Sequence, residues 1–362
     1  MAKIYGTNNL DFINFSNGAT DGDDTIYGYG GGDWLSGWDG NDTLVGGEGA
    51  DYLFGGNGID TANYGDSPTG VFINMSAGVA FGGTAEGDHL SSIENLIGSW
   101  FNDVLVGNDY GNVLSGVGGD DILVGLGGAD ILDGGWGVDT AGYGESPAGV
   151  SVCLFWHSAS GGDATGDQLF SIENLEGSHF SDNLFGDDGP NELLGLGGDD
   201  TLLGLGGDDN LSGGDGNDTL NGGAGQDILT GGPGADTLSG GYDADTFVWN
   251  NFDGAGVSPS GDIDLSGMDT ILDFQRLDKI DVQGVDADVY ALGDQAFTFI
   301  GDYFAHGGFT APGQVAYTKD ATDTYLIFNT DNVYTINTAA EFEFAIKLHG
   351  NYTPEASWFV HL

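Results

Sequence analysis

Gly213-Gly-Asp-Gly-Asn-Asp-Thr-Leu-Asn221 runs without a gap into Gly222-Gly-Ala-Gly-Gln-Asp-Ile-Leu-Thr230, two copies of the nonapeptide Gly-Gly-x-Gly-x-Asp-x-apolar-x. Followed outward, the sixth position of this unit keeps its phase through each of three arrays and slips between them, Asp60 to Asp103 spanning 43 residues and not 45. Asp24, Asp33, Asp42, Asp51 and Asp60 stand nine apart, as do Asp103, Asn112, Asp121, Asp130 and Asp139, and then Asp182, Asn191, Asp200, Asp209, Asp218, Asp227, Asp236 and Asp245. Two residues later the chain is almost always apolar, as at Ile26, Leu35, Leu44, Leu53, Leu105, Leu202 and Leu229. A flexible acidic linker would neither hold that phase nor supply a core residue with every unit.

The unit dictates its own conformation. Glycines at positions one, two and four admit positive φ and remove the Cβ where carbonyls and amides must curl closely. The three residues after the Asp alternate outward, inward, outward, so one apolar side chain per unit is buried. Two units make one coil of a flattened spiral. Coils stacked in parallel about 4.8 Å apart bring each sixth-position carboxylate to the turn two units onward. This predicts an all-β fold, a parallel β-roll, in which carboxylate and carbonyl oxygens converge. Hard oxygen ligands without imidazole or thiolate suit Ca2+ and suit zinc or copper poorly.

The tandem nonapeptides resemble the RTX (repeats-in-toxin) family of secreted bacterial proteins. The resemblance implies Ca2+ held between turns by the sixth-position Asp and by carbonyls of the first and third positions. The carboxylates are then Asp24, Asp33, Asp42, Asp51, Asp60, Asp103, Asp121, Asp130, Asp139, Asp182, Asp200, Asp209, Asp218, Asp227, Asp236 and Asp245. The carbonyls are those of first-position Gly28, Gly46, Gly195, Gly204, Gly213, Gly222 and Gly231 and third-position Gly30, Gly197, Gly206, Asp215 and Ala224. Asn112 and Asn191 depart from the pattern, so weaker or empty sites are expected there. Arrays of five, five and eight units, each short of a partner turn at its end, would hold about 12 ions.

Charge supports the same reading. Fifty-seven acidic residues face five basic ones, a formal charge of −52, with no Lys or Arg between Lys3 and Arg276. Such a chain repels itself, and its acidic, Gly-rich part carries too little apolar material to offset its ordering entropy. Metal is expected to supply the difference. Nucleic acid and anionic membrane are disfavoured partners.

Two inserts interrupt the arrays. Asp-Thr-Ala-Asn-Tyr-Gly-Asp-Ser-Pro from Asp60 returns as Asp-Thr-Ala-Gly-Tyr-Gly-Glu-Ser-Pro from Asp139, and Ser92-Ile-Glu-Asn-Leu96 returns as Ser171-Ile-Glu-Asn-Leu175. Residues 64–97 and 143–176 match at 18 of 34 positions, so array and insert were duplicated together. Strands are expected at Val71 to Met75 and Val150 to Phe155, continuing the roll with altered coils. Asp88, Glu94, Asp167 and Glu173 could be read as paired acids and bases, but turn residues or extra calcium ligands are the favoured reading.

After Val248 glycine thins and four of the five basic residues appear. Asp245-Thr-Phe-Val248, Asp269-Thr-Ile-Leu-Asp-Phe-Gln275, Asp278-Lys-Ile-Asp-Val282 and Ala296-Phe-Thr-Phe-Ile-Gly301 resemble the C-terminal part of serralysin-type metalloproteases, which implies a cap on the roll and an export signal. The link Gln275-Arg276-Leu277 is shorter than the family's. The expected division is a lead-in at 1–15, arrays at 16–63, 98–142 and 177–248, inserts at 64–97 and 143–176, and the cap from 249 to 362. The end, Glu355-Ala-Ser-Trp-Phe-Val-His-Leu362, is similar to uncleaved C-terminal signals of type I secretion substrates, and the N-terminus has no signal-peptide pattern. The type I secretion apparatus is therefore an expected partner and the extracellular space the expected location.

No stretch is long enough to span a membrane, and the single cysteine, Cys153 in an apolar strand, is expected to be buried. The chain lacks His-Glu-x-x-His, Gly-x-Ser-x-Gly and a phosphate-binding Gly-Lys-Ser/Thr, and its six histidines have no ligand spacing. No catalytic centre is expected. Trp34, Trp38, Trp100 and Trp136, beside calcium turns, leave open a contact with extracellular polysaccharide. The alternatives are an accessory module of an extracellular enzyme, of protease or alginate-epimerase type, and a matrix or adhesin component.

Overall fold

The computed structural model describes residues 2–14, 19–250, 268–284, 298–302, 314–329 and 344–360. His306, His361 and the ends of the motif 296–301 and of the tail 355–362 thus fall partly or wholly outside the described residues. The chain forms two compact units, Met1–Glu176 and Gly177–Leu362. The described residues contain strands and single 3-10 turns and no α-helix.

In the first unit the nonapeptide strands alternate between two faces of the roll. One face is an eight-stranded sheet in the order 3–5, 25–30, 43–48, 61–63, 95–97, 113–118, 131–136 and 168–170. Its pairs are parallel and advance by 18 residues within an array, as in Ile26 to Leu44 and Leu114 to Leu132, which makes two units one coil. The inward residue of each strand is sealed: Ile26, Leu35, Leu44, Leu53, Leu105, Leu114, Leu123 and Leu132 are all 0% exposed. Each such side chain contributes roughly 1.5–3 kcal/mol by burial. One such residue per nine is what the periodicity provides.

The inserts exchange one face for another. On the second face of the first array, 12–13, 34–39, 52–57 and 89–91 form a sheet that the first insert terminates, His89 pairing with Tyr52. The same insert contributes an antiparallel hairpin, Phe72–Asn74 with Val79–Phe81, whose first strand starts the opposite face of the second array by pairing with Val104–Val106. The second insert repeats the closure with 168–170 on 131–136 and the hairpin with Ser151–Cys153 against Ser158–Ser160. The hairpin strands are shorter than the sequence suggested because a turn at Gly78, and one closed by His157 N to Leu154 O, bends each back. Cys153 is buried.

In the second unit the third array continues the 18-residue register, with Leu202, Leu220 and Leu238 in line on one face and Leu211, Leu229 and Phe247 on the other. Thr270–Ile271 and Lys279–Gly284 each add one more parallel strand. Beyond them, 344–348 pairs with 270–271 and with the antiparallel strand 324–329, which pairs with 314–319, and Phe359–Val360 covers the edge of 279–284. The described strands after Val248 thus cover the roll's growing end, the hazard of any solenoid.

Candidate metal sites

Every array turn is organised by one hydrogen bond. The N–H of a sixth-position residue donates to Oδ1 of its counterpart one coil onward: Asp24 to Asp42, Asp33 to Asp51 and Asp42 to Asp60 at 2.7 Å, and Asp121 to Asp139, Asp200 to Asp218 and Asp218 to Asp236 at 2.8 Å. The ladder draws these side chains inward until none is more than 4% exposed. It occupies one carboxylate oxygen of each.

The second oxygen divides the turns into two kinds. Oδ2 is buried without a hydrogen-bond partner at Asp33, Asp42, Asp51, Asp60, Asp121, Asp130, Asp139, Asp200, Asp209, Asp218, Asp227 and Asp245. In all these turns, and in that of Asp236, the second residue has positive φ. It is glycine in some and Tyr29, Trp38, Val117, Leu126, Leu196 or Leu205 in others, despite the steric cost of a side chain there. In the remaining turns the second residue is polar and its own N–H reaches the sixth side chain. Thr20 donates to Asp24 Oδ2 at 2.7 Å, Ser99 to Asp103 Oδ2 and Ser178 to Asp182 Oδ2 at 2.5 Å, and Asn108 and Asp187 to the Oδ1 of Asn112 and Asn191 at 2.8 Å. The backbone there occupies the oxygen that the other turns leave bare.

The bare oxygens face a cradle that a side chain would fill. A Cβ built on Gly28 would stand 2.5 Å from Asp33 Oδ2 and 2.5 Å from Gly46 O of the next coil. Gly195 meets Asp200 Oδ2 and Gly213 O in the same way, Gly204 meets Asp209 and Gly222, and Gly213 meets Asp218 and Gly231. This corrects the reason for glycine at position one. Its φ is not positive, and the residue is glycine because the space beside it belongs to converging oxygens. Third-position carbonyls line the same turns. Gly30 pairs with Glu48, Gly197 with Asp215 and Gly206 with Ala224, and the carbonyls of Asp215 and Ala224 accept the N–H of Gly198 and Gly207 at 2.8 and 2.9 Å. An sp2 oxygen with one donor retains a second lone pair.

A buried, unpartnered carboxylate is costly, and burial disfavours its ionised form. Burial, first among the causes, raises Asp121, Asp130, Asp200, Asp209 and Asp245 to about 7 and Asp51, Asp60, Asp139, Asp218 and Asp227 to about 6, and neighbouring carboxylates add to it. Among the described residues no three His, Cys, Asp or Glu side chains converge on one point. One carboxylate oxygen and several carbonyls per turn make a donor set for a hard cation, and Ca2+ fits it.

The inserts and the chain's final segment extend the ladder with residues that break the nonapeptide. Asp88 Oδ1 accepts Asp51 N and Asp167 Oδ1 accepts Asp130 N at 2.8 Å, while Glu94 and Glu173 accept Asp60 N and Asp139 N through Oε2 at 2.8 Å. Asp269 and Asp278 end it, accepting from Asp236 at 2.9 Å and Asp245 at 3.2 Å. In the four aspartates the second oxygen is again taken by protein: Tyr64 OH donates to Asp88 at 3.0 Å, Tyr143 OH to Asp167 at 3.1 Å, Trp249 Nε1 to Asp269 and Gln275 N to Asp278 at 2.6 Å. Asp88 and Asp167 are therefore ladder members, not an acid and base facing a cleft. All but one of these six acids are followed two residues later by a fully or nearly buried residue, Leu96, Leu169, Leu175, Ile271 or Ile280, the signal by which sequence could have placed them.

The outer aromatics partly use one another. Trp34 stacks on Tyr52 at 4.4 Å and Tyr52 on His89 at 4.8 Å, so the ring faces in this column are covered, whereas Trp100 and Trp136 are 63% and 80% exposed. No helix among the described residues is long and apolar enough to cross a membrane.

The RTX calcium-binding nonapeptide repeat (4 copies) matches residues 19–44, 30–62, 97–125, 106–141, 176–211, 203–238 and 212–247, the three arrays and nothing between them. Among solved structures the chain is similar to the AlgE6R2 subunit of the Azotobacter vinelandii mannuronan C5-epimerase, at 30% identity over 45% of this chain and 87% of that one, with a TM-score of 0.32. It is similar to the AlgE6R3 subunit at 27% identity over 50% and 78%, TM-score 0.26. It is also similar to the extracellular lipase LipA of Serratia marcescens at 19% identity over 74% and 39%, TM-score 0.20. No curated protein matches the chain.

Proposed function

The chain carries RTX calcium-binding nonapeptide repeats in all three arrays, and from that premise we propose a secreted, non-catalytic calcium-binding roll that folds when it meets Ca2+ outside the cell. The carrying observation is the set of buried carboxylate oxygens that lack a donor, which at Asp33, Asp200, Asp209 and Asp218 share their cradle with a carbonyl of the next coil. Ions at these turns number about 12. Their positive charge offsets nearly half of a net charge of −52 and removes the self-repulsion that keeps the metal-free chain extended. Cytosolic Ca2+ is too scarce to load such turns and extracellular Ca2+ is ample, so the chain stays exportable inside by a type I route and folds outside, stabilised by ligand binding to the native state. Titrating Ca2+ into EDTA-stripped protein under far-ultraviolet circular dichroism, with Mg2+ as control, tests this. The expected result is a cooperative gain of β signal with Ca2+ alone, and a chain already folded in EDTA would overturn it.

A further inference from the structure

The family's repeats stop at residues 62 and 141, yet the last carboxylate of each of the first two arrays is not a dead end. Asp60 is 0% exposed and Asp139 1%, and the Oδ2 of each is buried with no hydrogen-bond partner. No nonapeptide follows to close these turns. An insert does, in the same way twice.

At the first junction the position a Cβ on Gly55 would take is contested by Asp60 Oδ2 and by the carbonyl oxygen of Ser92, and at the second the Gly134 position is contested by Asp139 Oδ2 and Ser171 O. This is the cradle of the array turns, with a serine carbonyl in place of the first-position glycine carbonyl of the next coil. Ser92 and Ser171 both hold φ at 51°, a left-handed backbone that non-glycine residues rarely adopt. Glu94 and Glu173 complete the arrangement. Their N–H groups donate to Asp60 O and Asp139 O at 3.0 Å, while their Oε2 atoms accept Asp60 N and Asp139 N at 2.8 Å, so each insert grips the turn from both sides. Two carboxylates thus meet at each junction.

We infer that each junction is a cation site for Ca2+, closed by Asp60, the Ser92 carbonyl and Glu94 in the first insert and by Asp139, the Ser171 carbonyl and Glu173 in the second. The inference rests on the calcium-binding reading above and adds ligands from outside the repeats. It gives the duplicated Ser-x-Glu a function: the insert docks on the array through the ion as well as through strand pairing, so loading of the array's last turn and ordering of the insert become one event. The neighbouring turn of each insert needs no ion, because Tyr64 and Tyr143 already donate to Asp88 and Asp167.

Native mass spectrometry of the calcium-loaded full chain tests the assignment, with circular dichroism at saturating Ca2+ confirming the fold of each variant. Asp60→Asn with Asp139→Asn is expected to carry two ions fewer than wild type, and Asp88→Asn with Asp167→Asn the same number as wild type. Glu94→Gln with Glu173→Gln, which keeps an acceptor for the ladder, is expected to weaken two ions by about tenfold or more, equivalent to 1.4 kcal/mol each. An unchanged ion count in the Asp60 and Asp139 pair, or wild-type affinities in the Glu pair, overturns the inference while leaving the other array sites standing. A wild-type chain that binds no Ca2+ sinks the calcium reading itself.

Discussion

The turn at Asp33 and the turn at Asp88 carry the same ladder bond and differ in what meets the other carboxylate oxygen. Asp33 Oδ2 has no partner and faces Gly46 O, whereas Asp88 Oδ2 receives the hydroxyl of Tyr64, a buried group whose own pKa lies well above 10 because of burial and the carboxylate beside it. One structural need has two chemical answers. The backbone ladder requires only that a carboxylate point inward at each coil. Whether the oxygen left over is met by a cation, a hydroxyl, an indole or a main-chain N–H is a separate choice, set by the residue two or more places away. The comparison teaches that the ladder runs on whether or not the spare oxygen has a donor, so the turns where none was supplied are the ones left open to a cation.

The strongest test of that contrast is removal of the metal. The insert strands have no sheet of their own, since 89–91 rests on 52–57 and 72–74 on 104–106. Their tyrosine-closed turns should therefore fail with the arrays, and hydrogen exchange in EDTA is expected to show no protected amide in either. Protection that persists at Leu90 or Ile73 would mean that the closed turns form a metal-independent nucleus.

Next in size is the difference between bare and closed carboxylates within the arrays. Asp218→Asn is expected to lose one ion and to shift the calcium midpoint upward. Asp103→Asn should keep the ion count but set an amide N–H against the N–H of Ser99, costing about 1–3 kcal/mol in denaturant midpoint at saturating Ca2+. Equal ion loss in the two variants would erase the distinction.

Acidity offers a further test of the bare carboxylates. In the absence of metal, burial raises Asp121, Asp200 and Asp245 to about 7, against roughly 3.9 in an unfolded chain. A raised folded pKa means that the folded form binds more protons. The stability so gained is fully present below about pH 4 and is lost as pH rises through 6 to 7. Protons should then partly replace Ca2+. Metal-free protein at pH 5 is expected to hold more β signal than at pH 8, and apparent calcium affinity to be weaker at pH 5. β signal in EDTA that ignores pH over this range would show that the bare carboxylates do not control folding.

The roll itself was legible because its determinants are local: an Asp at every ninth residue, and Leu or Ile two places on, prescribe ladder and core together. The closed turns were written in the sequence too, at Thr20, Ser99, Asn108, Ser178 and Asp187, but a polar residue in a turn reads alike whether its N–H points outward or folds back onto a carboxylate. Only backbone handedness separates the cases, and Tyr29, Trp38 and Leu205 adopt the positive φ that the sequence reading associated with glycine. The inserts were less legible for a different reason. Asp51 to Asp88 is a coil of 37 residues and Asp60 to Glu94 one of 34. The hairpin that fills them pairs forward with the second array while the closing strand pairs backward with the first, an exchange that no nearest-neighbour pattern contains.

The smallest expected effect bears most directly on the paired turns. Tyr64→Phe removes one hydroxyl from a residue 1% exposed and leaves the ring in place, so packing is retained. Asp88, raised to about 7 chiefly by burial and held from going higher in part by that hydroxyl, would lose its only side-chain donor. Leaving the oxygen unsatisfied costs about 1–3 kcal/mol. Two measurements separate the outcomes. If the hydroxyl stands in for a cation, the denaturation midpoint at saturating Ca2+ falls by that amount with the ion count unchanged, and Tyr143→Phe behaves alike because Tyr143 and Asp167 repeat the pair at 3.1 Å. If instead the variant binds one ion more than wild type, the vacated oxygen has reverted to the array's chemistry, and the tyrosine is what keeps calcium out of that turn. A variant with neither change would remove the hydroxyl from the account of both inserts and leave the ladder bond from Asp51 as the sole reason Asp88 is buried.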